Sequence, residues 1–195
     1  MSNIAGRHML RIAGTAAFVG PVVLLGSDLI HVFIGMTFEW TIGLFIAMML
    51  MTAATVGFTY LVSSRSGIVG LIGGCFAFFG LIAGASMQAF FRSLAVLQEH
   101  GSTGAVNQLQ QTFKMVASTQ MIGLAWPIGA FLLGIASFKA WPGQYILPLL
   151  FIVGAISFPI GRIAGSDIAV ILSGLMFVGA YSIIGSRLFA AAGEE

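Results

Sequence analysis

Residues 67–91 read GIVGLIGGCFAFFGLIAGASMQAFF, a long apolar stretch that contains no charged side chain. The hydrocarbon core of a bilayer is about 30 Å thick, and a helix needs about 20 apolar residues to cross it. This stretch therefore predicts a transmembrane helix. Similar stretches predict further spans at residues 10–33, 41–62, 121–138, 145–160 and 168–184. The predicted fold is all-α, a polytopic integral membrane protein that forms one six-helix bundle over residues 1–195.

The composition of the whole chain agrees with this class. Hydrophobic residues make up 58% and charged residues only 7% of the sequence, whereas an ordinary soluble domain carries about 25% charged residues. The six spans take up nearly the whole length, so no separate catalytic or nucleic-acid-binding domain is expected. Lysine and arginine occur singly and form no basic patch, which argues against a nucleic-acid partner. The lipid bilayer is the predicted partner.

The distribution of basic residues between the two sides predicts the orientation. Cytoplasmic loops carry an excess of lysine and arginine. The side that holds the termini has Arg7, Arg11, Arg65, Lys139 and Arg187, and the other side has Arg92, Lys114 and Arg162. We therefore expect both termini in the cytoplasm and a multi-pass protein of a plasma membrane, most simply a bacterial inner membrane. The first span is too long for a cleaved signal peptide, so we interpret it as an uncleaved span.

The connection between spans three and four, about residues 92–120, is expected to be an outer helical extension. Helical composition continues to Glu99, and Gly101 is a suitable helix stop. Beyond it, apolar residues recur at spacings of three and four from Val106 to Val116, which is an amphipathic pattern. Residues 101–120 either lie on the membrane surface or extend helix 4 upward, and we favour the second arrangement.

A stripe of small residues follows one face of span three. Its members are Gly70, Gly73, Gly74, Ala77, Gly80 and Gly84. Membrane helices associate closely through such faces, so we expect span three to be the central helix. The single cysteine, Cys75, is expected to be a small packing residue. With one cysteine and three histidines, the sequence indicates neither a disulfide, nor a metal site, nor a cofactor.

Polar residues continue the packed faces of spans one and three toward the outer margin. Asp28 and His31 are neighbours on the first helix, and Gln88 and Arg92 lie at a similar height on the third. Charges are costly to expose to lipid, so we expect Asp28 to face Arg92. Arg162 and Asp167, from the turn between spans five and six, are candidates for a second shell around these four.

This cluster supports a hypothesis of function and leaves alternatives open. The leading one is that Asp28, His31, Gln88 and Arg92 bind or pass a small solute, ion or lipid in an outward-facing polar cavity between helices 1 and 3. Histidine suits such a role because it changes charge near neutral pH. A plain structural ion pair at the headgroup level is the simpler interpretation.

Two further functions stay open. The chain is either a non-catalytic subunit that docks other helices, in a homo- or hetero-oligomer, through its glycine-rich faces, or a membrane enzyme with Asp28 and His31 as an acid–base pair. The enzyme hypothesis has the least support of the three, because the sequence contains no catalytic or cofactor motif. The sequence leaves the ligand, the partner proteins and the oligomeric state open.

Overall fold

The structure is a computed structural model that describes residues 4–35, 37–101, 104–108, 111 and 124–194. All regular secondary structure within these ranges is helical. The main helices are α1 (Ile4–Ile34), α2 (Phe38–Ser66), α3 (Ile68–Glu99), α4 (Ala125–Ala140), α5 (Ile146–Ala164) and α6 (Asp167–Glu194). A short helical segment covers residues 104–108.

Five of the described helices, α1, α2, α3, α5 and α6, are long and apolar enough to cross a membrane. The chain is therefore built as a multi-pass membrane protein. The helix α4 is also apolar but has only 16 residues, and residues 121–123, where its predicted span begins, lie outside the described part of the chain. The count of six spans accordingly stays a prediction.

The helix ends follow from local sequence. Thr37 caps α2, since its side chain accepts a hydrogen bond from the backbone N–H of Trp40 at 3.3 Å. Ser166 caps α6 by accepting a hydrogen bond from the backbone N–H of Ala169 at 3.4 Å. The helix α3 continues to Glu99, as predicted, and Gly101 follows it with a φ of +69°. Most of the rest of the predicted outer extension lies outside the described residues.

The helices are arranged as a closed ring in chain order. Each packs against the next, and α6 packs against α1. Gly74 of α3 faces Thr59 of α2, and Gly84 faces Met48, so these neighbours run antiparallel, and the other neighbouring pairs show the same pattern. The end of the bundle that carries both termini is called the terminal end below, and the opposite end is called the distal end.

The helix with the most neighbours is α2, which reaches across the ring. The prediction that span three occupies this central position is wrong. Besides its chain neighbours α1 and α3, α2 packs against α4 and α6. The helix α3 packs against α2 and α4, while its other face exposes Leu71, Ile72 and Phe79. A stripe of small residues shows that a helix packs closely, but it does not show how many neighbours surround that helix.

The small-residue stripe of α3 does face inward, as predicted, and it permits very close approach to α4. A Cβ atom added at Gly80 would lie 2.5 Å from the Cα atom of Trp126, and one added at Gly129 would lie 2.6 Å from the Cα atom of Ala77. Only glycine fits at these two crossing points. Cys75 lies beside the stripe and is exposed, so its predicted packing role is wrong.

Aromatic residues fill the middle of the bundle. Phe58, Phe151, Phe177 and Tyr181 are fully or almost fully buried, and the rings of Phe58 and Phe151 stack at a centroid distance of 5.5 Å. The hydroxyl groups of Tyr181 and Thr55 form a hydrogen bond of 2.8 Å that joins α6 to α2. This aromatic core, defined by the four rings, separates the distal end of the bundle from the terminal end.

Candidate functional site

The distal end holds a group of buried polar atoms that have no hydrogen-bond partner in the described structure. They are Asp28 Oδ2, His31 Nδ1, Trp40 Nε1 and Gln88 Oε1. Most buried polar atoms in proteins are hydrogen-bonded, so each exception needs an explanation. Their concentration at one end of the bundle makes this end the candidate functional site.

Asp28 forms an ion pair with Arg162 of α5. The carboxylate has no exposed surface, and its Oδ1 atom accepts a hydrogen bond from Arg162 Nη2. The prediction that Asp28 faces Arg92 is therefore wrong. The physical reason is the ring order: α1 packs against α2 and α6, and the long side chain of Arg162 reaches Asp28 from the distal end of α5.

Arg92 belongs instead to the rim between α2 and α3. Its guanidinium carbon lies 4.3 Å from the centre of the Phe38 ring, and its Nη1 atom lies 3.8 Å from Glu99 Oε1. One third of the side chain is exposed. The structure therefore separates Arg92 from the buried Asp28–Arg162 pair.

The remaining predicted site residues lie in three different environments. His31 stacks on Trp40 of α2, with ring centroids 4.7 Å apart and planes inclined by 21°. Gln88 is buried on the inner face of α3. Asp167 is exposed in the first turn of α6, where an acidic side chain favours the helix dipole. Of the two second-shell candidates, only Arg162 reaches the buried cluster.

A cleft of about 580 Å³ opens between α2, α3, α4 and α5 in the distal half of the bundle. Its walls are mostly apolar and include Met48, Met87, Trp126 and Phe158, while Gln88 and Arg162 contribute polar groups. Pockets for small molecules commonly have volumes of about 300–1,000 Å³ and this kind of lining. The predicted position between helices 1 and 3 is wrong, because α1 reaches this cleft only through the contact of Asp28 with Arg162.

The positive charge of Arg162 at the cleft is balanced by the carboxylate of Asp28 behind it. Arg162 has five N–H donors, one of which is used by Asp28; its side chain is 21% exposed and lines the cleft. The Oε1 atom of Gln88 is a buried acceptor without a partner. The cleft therefore brings the guanidinium of Arg162 and the side chain of Gln88 together with apolar walls.

Comparisons of the chain with protein-family profiles, with curated proteins and with solved structures find no match. Within the described ranges, no three histidine, cysteine or acidic side chains come together as metal ligands. The case for a function therefore rests on the chemistry of the cleft.

Proposed function

We propose that the protein binds a small neutral amphiphile in the distal cleft, at the outer face of a bacterial plasma membrane. The ligand has an apolar chain or ring and an uncharged head that carries a hydroxyl group. The observation that supports this most is that Arg162 and Gln88, whose buried Oε1 atom has no partner among the described residues, both line a cleft whose walls are otherwise apolar.

The charge balance of the cleft favours a neutral head group. The carboxylate of Asp28 already neutralises Arg162. A charged head would add an unbalanced charge to a site of low dielectric constant, which is costly. A hydroxyl group, in contrast, can donate and accept hydrogen bonds at the polar groups of Gln88 and Arg162 that line the cleft, without adding charge.

The walls of the cleft favour an apolar body. Met48 and Met87 face it from α2 and α3, and Trp126 and Phe158 face it from α4 and α5. Methionine side chains are flexible and adapt to ligands of different shape. This lining suits a family of lipid-like molecules better than one rigid polar solute.

Binding is better supported than passage across the bundle. Below the cleft, Phe151, Phe177 and Tyr181 have no exposed surface. Transport to the terminal end would require these rings to separate, because close-packed cores contain few voids larger than a water molecule. We therefore propose a binding protein and not a channel.

The alternative functions have less support from the contacts. The glycine stripe of α3 lies against α2 and α4, so it is already used within the bundle and is a poor docking face for another protein. Asp28 is fully buried and bonded to Arg162, which leaves it no access to a substrate. An acid–base pair of Asp28 and His31 is accordingly disfavoured.

Quenching of Trp126 fluorescence tests the proposal. The protein in phosphatidylcholine vesicles is titrated with a monoacylglycerol that carries bromine atoms on its chain. We expect a saturable loss of fluorescence that is much smaller in Trp126→Phe, which keeps Trp40 at the distal end, than in Trp141→Phe, whose tryptophan lies at the terminal end. In Gln88→Leu the half-saturation concentration should rise about tenfold, the usual effect of losing one hydrogen bond of about 1.4 kcal/mol.

Two outcomes would refute binding of a neutral amphiphile. One is quenching that increases linearly with bromine content and is equal in the two tryptophan variants, since this describes partition into bulk lipid. The other is tighter saturable binding of a brominated fatty acid anion than of the neutral ester, because the charge balance of Arg162 with Asp28 predicts the opposite order.

A further inference from the structure

The terminal end of the bundle is strongly basic, in contrast to the distal end. Its basic residues are Arg7, Arg11, Arg65, Lys139 and Arg187, whereas the acidic residues of range 4–193, Asp28, Glu39, Glu99 and Asp167, all lie on the distal half. The side chains of Glu194 and Glu195 lie outside the described part of the chain. Between residues 4 and 193, the positive charge of the terminal end is therefore not balanced by acids at that end.

Two of these arginines converge on one aromatic ring. The guanidinium carbon of Arg187 lies 3.8 Å from the centre of the Trp141 ring, and that of Arg65 lies 5.5 Å from the same centre. The Trp141 ring is itself nearly parallel to Phe58, with 6.0 Å between the centroids. Stacking on this ring holds two cations near each other, although they repel.

Arg187 is held in place on one side only. Its Nη2 atom donates a hydrogen bond to Gln144 Oε1, whereas its Nη1 atom is buried without a partner among the described residues. A buried N–H of a cation without an acceptor is costly. An anion bound beside the two guanidinium groups would offset the repulsion between Arg187 and Arg65, and a small shift of the Arg187 side chain would bring Nη1 to it.

We propose that Arg65 and Arg187, positioned by Trp141 and Gln144, form a binding site for a phosphate group at the terminal end of the bundle. Guanidinium groups match phosphate oxygens with paired N–H donors, and arginine is preferred over lysine for this reason. The phosphate belongs either to the head group of an anionic phospholipid or to a free phosphate ion. This site lies at the other end of the bundle from the cleft and does not depend on the proposed function.

Lipid retention in native mass spectrometry tests the site. The full-length protein in a non-ionic detergent is titrated with phosphatidylglycerol, with phosphatidylcholine and with inorganic phosphate. We expect saturable phosphatidylglycerol binding that weakens about tenfold in Arg187→Gln, because a hydrogen bond to a charged group is worth about 1.5–3 kcal/mol. Arg187→Lys should have an intermediate effect, and Lys139→Gln, an exposed basic residue of the same end, is the matched control.

The arms of the experiment separate the two sources of phosphate. Binding of phosphatidylglycerol that millimolar inorganic phosphate does not displace identifies a lipid, and displacement identifies a site for the free ion. Equal weakening by Arg187→Gln and Lys139→Gln would overturn the proposal, since it would show a general attraction of the basic surface. Arg65→Gln, at an exposed position, should also weaken binding, and it carries the test where Arg187→Gln does not fold.

Discussion

In the Asp28–Arg162 ion pair, we expect replacement of the arginine to destabilise the protein more than replacement of the aspartate. The substitution Arg162→Gln leaves a carboxylate with 0% exposure and no counter-charge, and removing one partner of a buried pair costs about 3–5 kcal/mol. Asp28→Asn leaves an arginine whose side chain is 21% exposed and lines the cleft, so water can solvate the remaining charge. This variant should lose about 1.5 kcal/mol, the lower value for a hydrogen bond to a charged group.

The double variant isolates the interaction between the two side chains. Asp28→Asn with Arg162→Gln contains no buried charge. We expect its destabilisation to be smaller than the sum of the single effects by about 2 kcal/mol, within the range measured for residues in direct contact. Arg92→Gln, at the rim where one third of the side chain is exposed, is the control and should change stability by about 0.5 kcal/mol or less.

Equilibrium unfolding in mixed micelles of dodecyl sulfate and a mild non-ionic detergent, followed by circular dichroism, measures these free energies. The reasoning is refuted when Asp28→Asn is more destabilising than Arg162→Gln. It is also refuted when the two single effects add to within about 0.5 kcal/mol, which is the behaviour of distant and independent sites.

Three further predictions concern the core and the lipid-facing surface. Tyr181→Phe removes the hydrogen bond to Thr55 and should cost about 0.6–1.7 kcal/mol, as such bonds do between membrane helices; the same unfolding assay measures it, and a loss above about 3 kcal/mol would mean that the ring packing also changes. Gly80→Ala should destabilise the protein by about 1–3 kcal/mol or more, because the added methyl group would contact the α4 backbone. Gly26→Ala, in open space on α1, should stabilise it by up to about 1 kcal/mol. Equal effects of the two substitutions would contradict the packing of α3 against α4. Cys75 is exposed, so Cys75→Ala should change the free energy of unfolding in the same assay by about 0.5 kcal/mol or less, and a loss above about 2 kcal/mol would place it in a contact.

The sequence predicts which helix faces turn inward, because polar groups are costly to expose to lipid and membrane helices associate through close packing of small residues. Asp28 and Gln88 are buried as the continuation of the packed faces suggests. The caps at Thr37 and Ser166 are also predictable, since they depend only on local hydrogen bonds. Each of these features involves one helix and its surroundings, without regard to which neighbour it meets.

The identity of the neighbours is what the sequence leaves open. Asp28 and Arg92 have suitable depth and charge, but the closed ring places α6 beside α1 and brings Arg162 to Asp28 instead. Arg162, in the last turn of α5, lies at the same depth as Asp28. This equal depth is the sequence signal that could have identified Arg162 as the partner of Asp28. The position of the cleft depends on the same ring order, so the sequence predicts its polar residue Gln88 but not its walls.

The most direct test of amphiphile binding is ligand protection of a cysteine placed in the cleft, in a Cys75→Ser background. Met87 lines the cleft, whereas its neighbour Ser86 is exposed on the outside of α3. At a monoacylglycerol concentration of about ten times the dissociation constant, maleimide should label Met87→Cys about tenfold more slowly, and it should label Ser86→Cys at an unchanged rate. Equal rates with and without the monoacylglycerol at Met87→Cys, or equal slowing at both positions, would contradict binding in the cleft.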